Sequence, residues 1–242
     1  MLDQHLMVDK EVLVRVTNIA DLNREDVVLE IGGGTGNLTE YIRKIVQKVY
    51  VIERDPAMVE KFTDRFKNFD NVMVACGEAT TIDFPEFTKC VSNLPYTICE
   101  PLLWKFTREE FECLVFVVPK RFVELLTGKR ESRLQLLLHA FYNLDVFEDI
   151  DPEAFDPPPK VVSSIIRLTP KKNGNFVLRE LLQQYDKKTR NALREILMKA
   201  GKTKQEALQE VTLKIRPGLQ NKKISSLTLH EIMEVIEAFT QK

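Results

Sequence analysis

Two short runs bring together the residue types that could do chemistry. The first is Glu30-Ile31-Gly32-Gly33-Gly34-Thr35-Gly36, which ends the apolar run Val27 to Ile31 and precedes Leu38, Ile42 and Ile45, spaced as on one face of a helix. Glycine reaches positive φ without a Cβ clash and lets the main chain come close to a ligand. A strand, a tight turn and a helix in this order therefore make a cradle over a helix N-terminus. A second strand, Lys48 to Ile52, runs into Glu53, twenty-one residues after Gly32, where a carboxylate can take both hydroxyls of a ribose. Cradle and carboxylate together point to an adenosine-containing cofactor. A dinucleotide fingerprint G-x-G-x-x-G would need its third glycine at position 37, which is Asn37; the glycines stand at 32, 34 and 36 instead. The second run, Ser92-Asn93-Leu94-Pro95-Tyr96, closes a later strand at the carboxyl edge, where open α/β sheets bind ligands.

The pattern Glu30-x-Gly32-x-Gly34-x-Gly36 resembles the first motif of S-adenosylmethionine-dependent methyltransferases, and Asn93-Leu94-Pro95-Tyr96 is similar to the catalytic motif of their amino-directed members. An exocyclic amine such as adenine N6 is a poor nucleophile because its lone pair is delocalised into the ring. In enzymes with this motif the Asn side-chain oxygen and the next main-chain carbonyl, here those of Asn93 and Leu94, accept the amine N–H groups. They draw the nitrogen towards tetrahedral geometry and aim its lone pair at the methyl group. Pro95 stiffens the loop, and Tyr96 offers a ring face for the base. A sulfonium is already a good leaving group, so no strong general base is required.

Taken in order, Gln4-His5-Leu6-Met7, Glu30 to Gly36, Glu53, Gly77-Glu78-Ala79, Asn93 to Tyr96, and Phe155 through Pro157-Pro158-Pro159-Lys160-Val161 to Ser163-Ser164 resemble the ribosomal RNA adenine dimethyltransferase family over nearly the whole chain. Asp186 to Leu193 resembles the basic helix of that family's second domain, most like archaeal members. The resemblance implies an α/β fold, a Rossmann-like S-adenosylmethionine-dependent methyltransferase sheet with a small C-terminal helical domain. S-adenosylmethionine is the implied cofactor, held by the turn of Gly32, Gly34 and Gly36, with Glu53 on its ribose and Glu78 near its adenine amino group. His5 and Met7 would close that pocket, and Asn93 would border it. Asn93, Leu94, Pro95 and Tyr96 form the implied catalytic loop, with Tyr96 and Phe155 on the two faces of the target base.

The implied reaction is N6,N6-dimethylation of two adjacent adenosines near the 3′ end of small-subunit rRNA, within a pre-30S particle. The base must leave its stack to reach the pocket. Lys120 and Arg121, near the cleft mouth with Lys129, Arg130 and Arg133, and Lys187, Lys188 and Arg190 in the tail are the basic residues expected to meet RNA phosphates. Two other readings predict different behaviour: an assembly factor that binds small subunits with weak or no catalysis, and a methyltransferase of DNA or free nucleotides. The chain also departs from the family pattern. Glu78 stands where Asp is usual, Leu6-Met7 where Phe-Leu is usual, no basic segment precedes the Gln-His element, and Glu131-Ser132-Arg133-Leu134-Gln135 represents a family Tyr-Gly-Arg-Leu-Ser run.

The elements that must position these runs follow from periodicity. Asp9 caps a helix with Val12, Leu13, Val16 and Ile19 inward; Asp55-Pro56 opens another through Phe66 with Met58, Val59, Phe62 and Phe66 inward. Val72 to Ala75, Lys89 to Ser92 and Leu114 to Val118 complete a parallel sheet, and Tyr142 to Ile150 with Val161 to Leu168 read as an antiparallel edge pair separated by three prolines. Trp104 falls among core residues of a helix. Beyond Pro170 a linker, 171–175, leads to helices marked by Leu178, Leu181, Leu182, Leu193, Ile196 and Leu197, and Thr228 to Glu231 reads as a capping box opening a last helix to about Phe239. Hence two domains are expected, 1–170 for methyl transfer and 171–242 for RNA or ribosome contact.

The chain has 242 residues and a 44% hydrophobic content, enough for one α/β domain and a small appendage. Its net charge of -1 conceals an asymmetry: residues 1–170 hold 20 Lys and Arg against 28 Asp and Glu, and residues 171–242 hold 15 against 8. A basic tail on an acidic body suits a polyanionic partner. No apolar window of eighteen residues and no leader pattern is present, so a cytoplasmic, membrane-free protein is expected. A monomer is also expected. The four cysteines lack metal-ligand spacing and read as small buried hydrophobes, and His5, His139 and His230 are far apart, so no metal is expected.

Overall fold

The computed structural model describes residues 5–128, 132–171 and 176–240. Gln4 of the N-terminal motif, the basic pair Lys129 and Arg130, Glu131, and linker residues 172–175 lie outside the described residues. The chain divides into two units, one formed by the sequence up to Thr127 with Tyr142–Pro170, the other by Gly128–Phe141 with the sequence from Lys171 on. The boundary expected at Pro170 closes the first unit. Residues 128–141, read as part of the first domain, group instead with the second.

In chain order the first unit contains β1 (Leu6–Met7), α1 (Lys10–Ile19), β2 (Val27–Ile31), α2 (Asn37–Ile42), β3 (Lys48–Glu53), α3 (Pro56–Phe66), β4 (Val72–Cys76), β5 (Lys89–Asn93), α4 (Cys99–Phe106), β6 (Cys113–Pro119) and α5 (Lys120–Thr127). After α6 (Arg133–Phe141), which belongs to the second unit, come β7 (Tyr142–Ile150), β8 (Phe155–Asp156) and β9 (Ser163–Pro170). Seven strands form one sheet in the order β4-β3-β2-β5-β6-β9-β7, parallel from β4 through β6 and antiparallel at β9 and β7. The expected antiparallel edge pair is present, with β9 lying inside β7. α2 stops at Ile42, so Ile45 packs against the core from the following turn rather than from the helix.

Alternation along the strands splits the core into two layers. Val115 and Val117 of β6 join Val12, Leu13 and Val16 of α1 and Phe62 of α3 on one face. Phe116 faces the other way and meets Phe106, around which Phe84, Phe87 and Phe111 gather. Met58 and Val59, expected inward, are only partly buried, whereas Phe62 and Phe66 are fully so. Cys90, Cys99 and Cys113 are buried as expected, with burial pushing the Cys99 thiol up to about 12. Cys76, at the end of edge strand β4, is exposed instead.

The second unit holds α6, α7 (Phe176–Gln183), α8 (Thr189–Lys199), α9 (Lys204–Lys214), α10 (Pro217–Gln220) and α11 (Leu229–Thr240). Leu178, Leu181, Leu182, Leu193, Ile196 and Leu197 are all buried, as their spacing predicts. Glu231 accepts the Thr228 N–H at 3.1 Å and donates its own N–H to Thr228 Oγ1 at 3.2 Å, the reciprocal cap read from the sequence. Among the described residues no helix is long and apolar enough to cross a membrane.

A buried ion pair clamps the amino ends of the neighbouring strands β2 and β5. Lys89, 5% exposed at its side chain, donates from Nζ to Asp26 Oδ2 at 3.0 Å and to the Asp21 carbonyl at 2.6 Å, and Asp26 also accepts the Asn23 N–H and the Thr88 hydroxyl. Removing one partner strands a desolvated charge, so K89M should lower the unfolding free energy by about 3 kcal/mol or more. Pairing it with D26L should restore part of the loss. Urea unfolding midpoints of the two variants check both statements.

Candidate active site

Strand order reverses between β2 and β5, whose following loops leave the sheet in opposite directions and open a crevice at its carboxyl edge. A cleft of about 540 Å³ occupies that crevice, walled by the ends of β2 to β5, the N-terminal arm and residues 158–161. His5, Gly32, Gly34, Glu53, Glu78, Asn93, Leu94, Pro95 and Tyr96, all singled out from sequence, line it together.

At the β2–β3 end, Glu53 is 3% exposed, and its carboxylate accepts two main-chain N–H groups, from Gly34 and from Asp55, each at 3.0 Å. Each carboxylate oxygen keeps further acceptor capacity, as two ribose hydroxyls require. Glu78 lies farther along the wall, loosely paired with Arg54 at 3.7 Å and accepting the Thr80 hydroxyl at 3.4 Å. Ile31 and Ile52 add apolar wall. Hydroxyl acceptors, an apolar wall and a second carboxylate in one crevice fit the nucleoside of S-adenosylmethionine.

At the β5 end, the Asn93 side chain donates from Nδ2 to the His5 carbonyl at 2.9 Å. A carbonyl can only accept, so this bond fixes Nδ2 as the donor and orients the amide with Oδ1 as its other end. The arm is itself held, since His5 donates its Nδ1–H to the Pro157 carbonyl at 2.7 Å. The Tyr96 hydroxyl bonds Ser163 Oγ at 2.9 Å, and Ser163 is fully buried, which anchors the hydroxyl end of the ring. The Leu94 N–H donates to the Val117 carbonyl at 3.1 Å and ties the loop to β6.

Three residues expected in the cleft do not line it. Met7 and Phe155 face each other across the antiparallel β1–β8 pair and are 4% and 2% exposed in the core. Alternation along β1 turns Leu6 to the cleft in place of Met7. Gly36 faces α3: its φ is +82°, and a Cβ there would stand 2.2 Å from the Phe66 ring. Its glycine is needed for packing and backbone conformation, not for ligand approach.

Lys120 and Arg121 are exposed on α5 and also lie outside the cleft wall, with Lys120 paired to Asp149 at 2.6 Å. In the second unit Lys187 pairs with Glu195, Lys188 stands exposed just before α8, and Arg190 is exposed on that helix. Arg54, Ile98 and Lys160 line the cleft without having been assigned to it. A residue next to Glu53 was the available signal for Arg54; Ile98 had none, because it follows the motif in a 3₁₀ turn.

Fold and cleft together define a Rossmann-like methyltransferase. The sequence matches the ribosomal RNA adenine dimethylase family over residues 1–238, and the chain belongs to that family. A probable ribosomal RNA small subunit methyltransferase A from Methanococcoides burtonii is 37% identical over 204 residues, covering 78% of this chain and 75% of that relative. The protein of the same description from Methanothermobacter thermautotrophicus is 34% identical over 245 residues, covering 98% and 89%. Among solved structures, a dimethyladenosine transferase from Plasmodium falciparum superposes with a TM-score of 0.71 at 26% identity, covering 97% of each chain. The 23S rRNA methyltransferase ErmE shares the fold, with a TM-score of 0.66 at 20% identity over 98% of this chain and 100% of that one. The chain is thus an enzyme that dimethylates adenine in ribosomal RNA, with S-adenosylmethionine as methyl donor.

Behind the glycine turn, Glu30 is 2% exposed and accepts the Thr39 hydroxyl at 2.6 Å. Burial, reinforced by neighbouring Glu53 and opposed by the Thr39 bond, pushes its carboxyl up from 4.5 to about 8. The folded protein therefore holds this proton more tightly than the unfolded chain does. The resulting stability is complete below the ordinary carboxylate range and is lost as pH rises towards 8, at about 1.4 kcal/mol per pH unit. E30Q, neutral at every pH, should flatten this slope and be more stable than the parent at pH 8. Unfolding curves between pH 5 and 8 decide it, and parallel slopes for the two proteins would contradict it.

Proposed function

We propose that this enzyme methylates N6 twice on each of two adjacent adenosines near the 3′ end of small-subunit rRNA, within a pre-30S particle in the cytoplasm and as a monomer. The reading is carried by one observation: the Asn93 amide is locked by the His5 carbonyl at the end of β5, with its oxygen left for an amine donor. S-adenosylmethionine, when bound, would supply an electrophilic methyl group on a sulfonium, whose sulfur departs as a neutral thioether without protonation. The protein's part is then orientation. Asn93 Oδ1 and the Leu94 carbonyl accept hydrogen bonds from the two N6–H groups in the first transfer and from the one that remains in the second, each transfer ending with loss of one N6 proton to water; Tyr96, braced by Ser163, supports the base. Glu53 takes the ribose hydroxyls and Glu78 the adenine edge of the donor. Preset acceptors lower the barrier because no reorganisation is needed when the nitrogen changes geometry.

Lys120, Arg121, Lys187, Lys188 and Arg190 contact phosphates in this reading. Exposed ion pairs such as Lys120 with Asp149 are weak because water screens them, so exchanging a carboxylate for a phosphate costs little.

Unmodified small subunits incubated with the enzyme and S-adenosylmethionine should gain methyl groups at an adenosine pair near the rRNA 3′ end, read as a mass shift and a primer-extension stop. N93A should reduce kcat by about 10² to 10³ while S-adenosylmethionine affinity changes by less than about tenfold. Methylation by N93A at the parent rate removes the assigned role. Parent protein that binds subunits without methylating them leaves only a binding role in assembly.

A further inference from the structure

The segment between β4 and β5 carries Glu78 and Ala79 into the cleft wall, yet no helix or strand supports it. Its shape comes from a short turn in which the Thr81 and Ile82 N–H groups both donate to the Glu78 carbonyl, at 2.9 and 3.0 Å. Two isolated bonds at a partly exposed turn contribute little by themselves. A further set of contacts reaches this turn from α4.

Lys105, in the last turn of α4, donates from Nζ to the Ala79 carbonyl at 2.9 Å and also to the Ile82 carbonyl. The same ammonium stands 3.7 Å from the centroid of the Phe84 ring, which packs against Phe106 at 5.3 Å. One cation thus gathers both ends of the turn and the first aromatic residue beyond it. Burial disfavours the ammonium and lowers its pKa, with Glu109 and Asp83 opposing, so the carbonyls and the ring compensate a real desolvation cost. α4 begins at Cys99, immediately after the Tyr96–Ile98 turn that follows Asn93.

We propose that Lys105 is a positioning residue for the methyl donor: it fixes the 78–82 turn, and with it the wall meant for the donor's adenine, against the helix that follows the catalytic loop. The proposal rests on the reading of this cleft as the S-adenosylmethionine site. A lysine serving only general stability would change unfolding without separating KM from kcat.

The test titrates the full chain with S-adenosylhomocysteine in a calorimeter and follows amide exchange at Thr81 and Ile82 by NMR in the ligand-free protein. K105M should weaken binding by about tenfold and speed exchange at those two amides while α1 amides keep their rates. KM for S-adenosylmethionine should rise by a similar factor with kcat within about threefold, and K105R, which can reach both carbonyls, should bind within about threefold of the parent. If K105M does not fold, K105Q, whose shorter amide cannot span both carbonyls, should show the same loss. Binding within about twofold of the parent by the folded variant, or unchanged exchange at Thr81 and Ile82, overturns the proposal alone. A parent protein that binds no S-adenosylhomocysteine overturns both the proposal and the cofactor reading beneath it.

Discussion

Glu53 accepts two main-chain N–H groups inside a crevice that leaves it 3% exposed, and these two bonds tie the turn after β2 to the turn after β3. A carboxylate so far out of water must be met by donors, and backbone amides meet it without introducing a cation. The choice has a consequence for binding. A lysine or arginine at Glu53 would compete with ribose hydroxyls, whereas amide donors leave the outer lone pairs available and hold the side chain in place before a ligand arrives. Glu30, behind the same turn, keeps its proton at neutral pH because burial pushes its carboxyl up to about 8. A second negative charge is thereby kept from crowding Glu53.

The N-terminal arm imposes the second constraint, and residues that look functional serve it by being buried. Met7 and Phe155 anchor the β1–β8 pair in the core, and the two-residue period then fixes what stands beside them: Leu6 turns to the cleft. His5 follows, held at Pro157, and its carbonyl orients Asn93. Anchoring, register and amide orientation form one chain of cause, with the apolar pair at its base.

Much of this was legible because each feature has a local rule behind it. The glycine spacing, the acidic end of β3, the capped helices and the Asn-Leu-Pro-Tyr run each name a backbone conformation or a donor count that does not depend on the rest of the fold. What escaped depends on facing. Met7, Gly36 and Phe155 sit in the right motifs, yet which way they point is decided by strand pairing and by the packing of Phe66, which spacing alone does not encode. Lys105 was unreadable for another reason: its partners are main-chain carbonyls 23 and 26 residues away, and carbonyls leave no signature in a sequence. The grouping of residues 128–141 with the second unit was hidden in the same way, since α6 has an apolar face that would suit either unit.

The two halves of the cleft meet at Gly32, beside the Ile31 N–H that donates to the buried Ser92 hydroxyl at 2.8 Å. A Cβ at Gly32 would stand 3.5 Å from Pro95 Cδ and 3.7 Å from the Asn93 carbonyl oxygen, so the glycine turn and the Asn-Leu-Pro-Tyr loop lie one atom layer apart. Main-chain separation is set by the β2–β5 pairing, whose register joins Val28 with Lys89 and Leu29 with Cys90. Side chains can change rotamer at a cost of about a kcal/mol, but moving these loops apart means breaking the ladder and the Leu94 bond to Val117. In the proposed reading, the distance between a methyl held over one loop and an amine held by the other is consequently a property of the sheet. That accounts for a site with no strong acid or base in its catalytic loop: the reaction needs two groups brought to a fixed separation and angle, and a parallel sheet at its point of reversal supplies both.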